Sequence, residues 1–265
     1  MTRRAVVLAR GLGTRMRAID PNARLTAEQT RAAEGGSKAM MPLHGRPFLD
    51  YVLSTLADAG IDHVGLVVAP DYAPVSDYYE RIAPPRRVHV DYVVQPEPLG
   101  TADAIVAAER WCGQAPFLAL NSDNLYPPSA LRALAEIGEP GVAAFLRDEL
   151  TATSNIGPDR IRRFALLDVD AAGYVTHVVE KPEHDPETPL VSMNLWRFDS
   201  RIFEACRDVP RSPRGEYELP GAVAVAIDRG VRFRAVPSRG PVLDLSTRAD
   251  AAEVERRLRG WTPSP

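Results

Sequence analysis

The chain has 265 residues, 45% of them hydrophobic, and a formal net charge of −3, enough to bury a sizeable core in one large domain. It encodes no concentrated basic face of the kind a nucleic-acid binder presents and no apolar run long enough for a membrane span. Because the start MTRRAVVLAR turns directly into a strand-like run without a cleavage-like segment, a cytoplasmic protein is expected.

In chain order, residues 5–9 form a short continuous apolar run, the pattern of a strand covered on both faces of a parallel sheet, and a glycine-rich turn follows at once. Similar runs recur at residues 64–69, 88–94 and 117–120, separated by helix-like segments at 47–59, 75–82, 101–111 and 129–136. This alternation predicts right-handed crossovers and an α/β fold with a doubly wound, mostly parallel sheet. From Gly141 the rhythm changes: 161–168, 173–180 and 191–198 read as strands joined by short turns, so the second half is mixed and strand-rich. Helices return at 200–208, 218–228 and 247–258, with a strand near 231–236, and residues 261–265 read as a frayed tail. The polar segment 18–36 reads as a surface insertion or as a lid over a phosphate site, with Thr26-Ala27-Glu28-Gln29 as a capping-box-like helix start.

Among 32 basic residues only Lys38 and Lys181 are lysines; where arginine serves everywhere else, a surviving lysine marks a position that needs a compact ammonium. Cys112 and Cys206 stand far apart without neighbouring histidines and read as buried apolar residues. The first strand runs into Leu8-Ala9-Arg10-Gly11-Leu12-Gly13-Thr14-Arg15-Met16, where bare backbone N–H groups can approach a phosphate chain. Alone this turn is weak: it lacks the third glycine of the dinucleotide fingerprint, which argues against an NAD-dependent oxidoreductase.

Further motifs follow in order: Ser37-Lys38-Ala39-Met40-Met41-Pro42-Leu43, Gln95-Pro96-Glu97-Pro98-Leu99-Gly100-Thr101-Ala102, Asn121-Ser122-Asp123-Asn124, Glu180-Lys181-Pro182, Asn194 and Val242-Leu243-Asp244. The ordered set resembles the sugar-1-phosphate nucleotidyltransferase superfamily over nearly the whole chain. The resemblance implies a Rossmann-like, glycosyltransferase-A-like single domain over 1–260, with an NTP-binding half (1–140) and a sugar-phosphate-binding half (141–260). It implies an enzyme that moves a nucleoside monophosphate from an NTP to a sugar 1-phosphate with Mg²⁺. A sugar phosphate is already largely a dianion near neutral pH, since its second pKa is about 6, so the protein's task is in-line positioning and charge neutralisation.

By the same resemblance Leu8, Ala9, Gly11, Gly13 and Thr14 hold the nucleotide, Arg15 neutralises the leaving pyrophosphate and Lys38 contacts the α-phosphate. Gln95, Gly100 and Thr101 form the base side. Asp123 and Asp244 are the implied magnesium ligands, since hard carboxylate oxygens suit that ion and the five scattered histidines offer no transition-metal alternative. Glu180, Lys181 and Asn194 face the acceptor.

Three features depart from the family pattern. Arg10 stands where a small alanine is usual, an extra guanidinium that either binds phosphates or points outward. Residues 18–36 are longer than the usual connection, and Ser246 replaces a common glycine. A pyrimidine NTP (UTP or dTTP) is the first expectation, with guanylyl- or cytidylyltransfer as alternatives. A non-catalytic homologue would have lost Arg15, Lys38 or Asp123, and all are present; a glycosyltransferase would not need the Gly-Thr-Arg turn. The expected partners are an NTP and a sugar 1-phosphate, with a homo-oligomer left open.

Overall fold

The computed structural model describes residues 1–162, 164–179 and 189–265. Its centre is the strand Arg4–Leu8, paired in parallel with His63–Val68 on one side and Phe117–Asn121 on the other, with His89–Val94 parallel beyond. Alternate side chains along Arg4–Leu8 enter two separate cores: Ala5 and Val7 join one, Val6 the other, and all three are fully buried. Both faces are covered, as the uninterrupted apolar run predicts. The helix Phe48–Asp58 covers the first face; Thr101–Ala107, Arg201–Asp208 and Leu219–Asp228 cover the second.

The second half continues the same sheet with mixed polarity. Leu190–Phe198 pairs antiparallel with Phe117–Asn121, then with both Gly141–Leu146 and Ala165–Val169. Val175–Val179 and Arg234–Ser238 complete nine strands among the described residues. The expected α/β fold, parallel first and mixed later, is what forms.

Several boundaries differ from the sequence reading. Gly141–Leu146 is a strand and Arg147–Thr153 a helix where only a change of rhythm was legible. The expected strand 161–168 begins instead as a helical turn, Pro158–Ile161, because Pro158 supplies a preset first helical position, and the strand starts at Ala165. The tail is not frayed. Trp261 packs edge-on against Tyr51 with centroids 5.2 Å apart, Ser264 N donates to Ser54 Oγ at 2.7 Å, and Pro265 O accepts from Arg86 N at 2.8 Å. Both cysteines are buried, and desolvation raises the Cys112 thiol to about 12. No helix among the described residues is long and apolar enough to cross a membrane.

Segment 18–36 folds back onto the glycine turn. Its helix Ala27–Glu34 carries the full capping box, Thr26 accepting from Gln29 N and the Gln29 side chain accepting from Thr26 N. Ala33 is fully buried and Gln29 nearly so, Gln29 Nε2 donating to Pro42 O at 3.0 Å. The segment leads into Lys38, which stands beyond the carboxyl end of the interior strand Phe117–Asn121.

Candidate active site

The site lies at the carboxyl ends of the parallel strands, where open α/β sheets place ligands. One wall is the glycine turn. Gly13 has φ +63°, and a Cβ there would lie 2.1 Å from Gly36 O, so no side chain fits between turn and insertion. The opposite wall is the turn after His89–Val94. Between them a cleft of about 440 Å³ is lined by Leu8, Gly11, Gly13, Thr14, Arg15 and Lys38 on one side and by Gln95, Gly100 and Thr101 on the other. Ala9, expected among them, does not line the cleft; its N–H extends the strand pairing by donating to Val67 O at 2.9 Å.

Asp123 follows the strand Phe117–Asn121 directly, and Lys38 Nζ lies 2.7 Å from its Oδ2, each side chain about four-fifths buried (16% and 21% exposed). Asp244 reaches the same spot through a two-residue ribbon: it pairs with Asn124, and Leu245 N donates to Asp123 O at 2.9 Å. Burial first, then the Asp123 charge, push the Asp244 carboxyl up to about 6, against the opposing pull of Arg160, whose Nη2 is 2.7 Å away. Asp244 Oδ1 is buried with no hydrogen-bond partner among the described residues.

Two converging carboxylates with an orphaned buried oxygen fit a hard divalent cation. No cluster of three or more His, Cys, Asp or Glu exists among the described residues, so such an ion would complete its shell with substrate phosphates and water, as Mg²⁺ does.

On the opposite wall, the Gln95 side chain is buried and its Nε2 donates to Gly100 O at 3.1 Å and Asp103 Oδ2 at 2.6 Å. Its amide is therefore half committed within the fold. Gly100 has φ +115°, and a Cβ would fall 2.4 Å from Tyr217 O. Thr101 Oγ1 accepts from Leu219 N at 2.8 Å, a cap on the helix Leu219–Asp228. Asn194 sits at φ +61°, which asparagine tolerates. It donates to Asn121 Oδ1 and accepts from Trp196 Nε1, both at 2.9 Å, so it bonds the last residue of the strand that leads to Asp123. Glu180 and Lys181 lie outside the described residues.

Arg214 and Glu216 also line the cleft, and neither was read from the sequence. They belong to the connection between Arg201–Asp208 and Leu219–Asp228, which periodicity leaves blank; the available signal was Pro213-Arg214-Gly215-Glu216, charges set in a proline- and glycine-marked turn. Arg214 Nε donates to Glu218 Oε1 at 3.0 Å.

The parallel sheet with its glycine turn, ammonium and paired carboxylates defines a phosphoryl-handling α/β enzyme. Residues 4–258 match the family described as Nucleotidyl transferase, and the chain belongs to that family, the sugar-1-phosphate nucleotidyltransferases. It is 30% identical to the UTP–glucose-1-phosphate uridylyltransferase AglF of Haloferax volcanii, over 97% of each chain. It is 29% identical to a glucose-1-phosphate thymidylyltransferase of Streptomyces antibioticus, covering 96% of this chain and 66% of that one. Among solved structures, a UDP-glucose pyrophosphorylase complexed with UDP-glucose superposes with a TM-score of 0.77 at 19% identity, covering 98% of this chain and 100% of that one. A UTP-bound UGPase from Acinetobacter baumannii superposes at 0.78 and 19%, covering 100% and 96%. At that identity these two speak to fold alone.

Proposed function

We propose that the protein transfers a uridylyl or thymidylyl group from UTP or dTTP to a hexose 1-phosphate of the glucose 1-phosphate type, giving a nucleoside diphosphate sugar and pyrophosphate. The observation that carries this is the meeting of Lys38, Asp123 and Asp244 beside a cleft whose other end is the glycine turn. In this reading the backbone of Gly11 to Thr14 holds the triphosphate, and Arg15 neutralises the charge that gathers on the β- and γ-phosphates. Asp123 and Asp244 would hold Mg²⁺, which supplies charge neutralisation between the two anionic substrates when bound. Lys38 leaves Asp123 and takes up the α-phosphate. The acceptor's phosphate oxygen attacks the α-phosphorus, forming the new P–O bond as the α–β bridge bond breaks and pyrophosphate departs with the electron pair. No general base is required.

Gln95 supports part of the base preference. Both hydrogens of its NH₂ are engaged by Gly100 and Asp103, which leaves Oε1, an acceptor, for a ligand. Uracil and thymine present a donor at N3; cytosine presents an acceptor there. Guanine also has a donor at N1, and the choice between it and the pyrimidines rests on the names of the similar enzymes, a uridylyltransferase and a thymidylyltransferase. Glu180 and Lys181 take the acceptor side on the strength of their motif. The half-to-half division of labour, 1–140 for the NTP and 141–260 for the sugar phosphate, and a cytoplasmic setting belong to the same reading. A matrix of UTP, dTTP, CTP and GTP against hexose 1-phosphates, followed by pyrophosphate release, tests it; release confined to CTP or GTP, or none at all, contradicts it.

A further inference from the structure

Arg10 places a guanidinium at the start of the glycine turn, and the side chain reaches across to the facing turn instead of pointing away from the cleft. It lines the cleft, with Nε donating to Gln95 O at 3.1 Å and Nη2 donating to Pro96 O at 3.3 Å. Those carbonyls begin the base-side turn just beyond the strand His89–Val94. Three other backbone bonds hold the turn: Gln95 N donates to Val68 O at 2.9 Å, Leu99 N to Glu97 O at 2.9 Å and Tyr217 N to Leu99 O at 2.7 Å, and none of them reaches the glycine turn. Pro96 and Pro98 carry no N–H with which to add more. Arg10 is thus the covalent neighbour of one wall and a two-bond partner of the other.

We propose that Arg10 is a positioning residue that couples the phosphate-holding turn to the base-side turn and so sets which base the cleft accepts. The proposal rests on the nucleotidyl-transfer reading above and deepens it. Reading a base through one acceptor on Gln95 requires that acceptor to be placed within roughly 0.5 Å of its productive position relative to the triphosphate. The two walls hang from different strand ends, and a brace between them holds that spacing. Guanidinium is suited to this: it is planar, its donors are fixed in a fork, and it bonds two neighbouring carbonyls at once. Lysine could reach one carbonyl but not hold both in plane.

The test compares the unmodified protein with Arg10→Ala and Arg10→Lys by calorimetric titration of UTP, CTP and inorganic tripolyphosphate, beside kcat/KM for UTP and CTP with glucose 1-phosphate. For Arg10→Ala the UTP affinity falls about tenfold, equivalent to about 1.4 kcal/mol. The preference for UTP over CTP shrinks by a similar factor, while tripolyphosphate affinity stays within twofold; Arg10→Lys falls between. Parallel loss of UTP and tripolyphosphate would make Arg10 a phosphate ligand and overturn the proposal, as would an unchanged base preference. Should Arg10→Ala fail to fold, Arg10→Lys and Arg10→Gln carry the same comparison. Titration needs no turnover, so binding of UTP without sugar-nucleotide formation would count against the transfer reading and leave the brace to be judged on affinities.

Discussion

Lys38 Nζ lies 2.7 Å from Asp123 Oδ2: one of only two lysines in the chain is paired with the carboxylate at the head of the central strand ends. The ammonium is the counter-charge of Asp123, and in the proposed transfer this contact opens so that the lysine takes the triphosphate. Lys38→Arg keeps the charge but replaces a compact point with a broad planar fork. Turnover is expected to fall at least about a hundredfold, ~2.7 kcal/mol of barrier, with the thermal midpoint little changed. Steady-state kinetics decide it; near-normal kcat would remove the role given to Lys38.

Asp123→Asn preserves size and removes the charge that holds a hard cation. We expect loss of metal-dependent pyrophosphate release by about a hundredfold or more, loss of the Mg²⁺ titration signal by calorimetry, and an unchanged circular dichroism spectrum. Asp244→Asn should behave alike, because its orphaned Oδ1 and the backbone bond from Leu245 N to Asp123 O tie it to the same point. Normal metal-dependent turnover of Asp123→Asn would mean that the site lies elsewhere.

The Asp244 carboxyl titrates near 6 rather than near its ordinary 3.8, through burial and the Asp123 charge. A raised acid pKa means that this group's contribution to stability is complete below 3.8 and is lost as pH rises through about 6, where the carboxylate becomes charged in a buried place. Cation binding needs the charged form. The rise in melting temperature on adding Mg²⁺ should therefore be large at pH 7.5 and small at pH 5. An equal rise at both would separate Asp244 from the metal.

Gly100→Ala places a methyl 2.4 Å from Tyr217 O at φ +115°, where neither backbone can easily yield. Destabilisation of about 1–3 kcal/mol is expected from the strained backbone, together with a raised KM for the NTP because the turn holding Gln95 shifts. Urea denaturation and initial rates check both; an unchanged KM would detach this turn from the nucleotide.

The first half of the fold was legible because its strands are covered on both faces: Ala5, Val6 and Val7 write one uninterrupted run, and glycines punctuate it. The same glycines led to the cleft. What could not be read depends on contacts between distant residues. Nothing near Gln95 says that Asp103 will take one of its hydrogens, and nothing near Asn194 says that its amide will bond Asn121 and Trp196. The tail looked frayed for want of periodicity, yet Trp261 and Pro265 find partners in Tyr51 and Arg86, far away in sequence. Arg214 and Glu216 enter the cleft from a turn whose position is set by Gly100 against Tyr217.

In the proposed transfer the α-phosphorus moves to the acceptor while the outer two phosphates leave together. Incubating the protein with UTP labelled at the α-phosphate, glucose 1-phosphate and Mg²⁺ measures this directly. Label is expected in a nucleoside diphosphate sugar, with one unlabelled pyrophosphate released per labelled product, and neither without Mg²⁺ or with Asp123→Asn. Label recovered in UMP, or orthophosphate released in place of pyrophosphate, would contradict it.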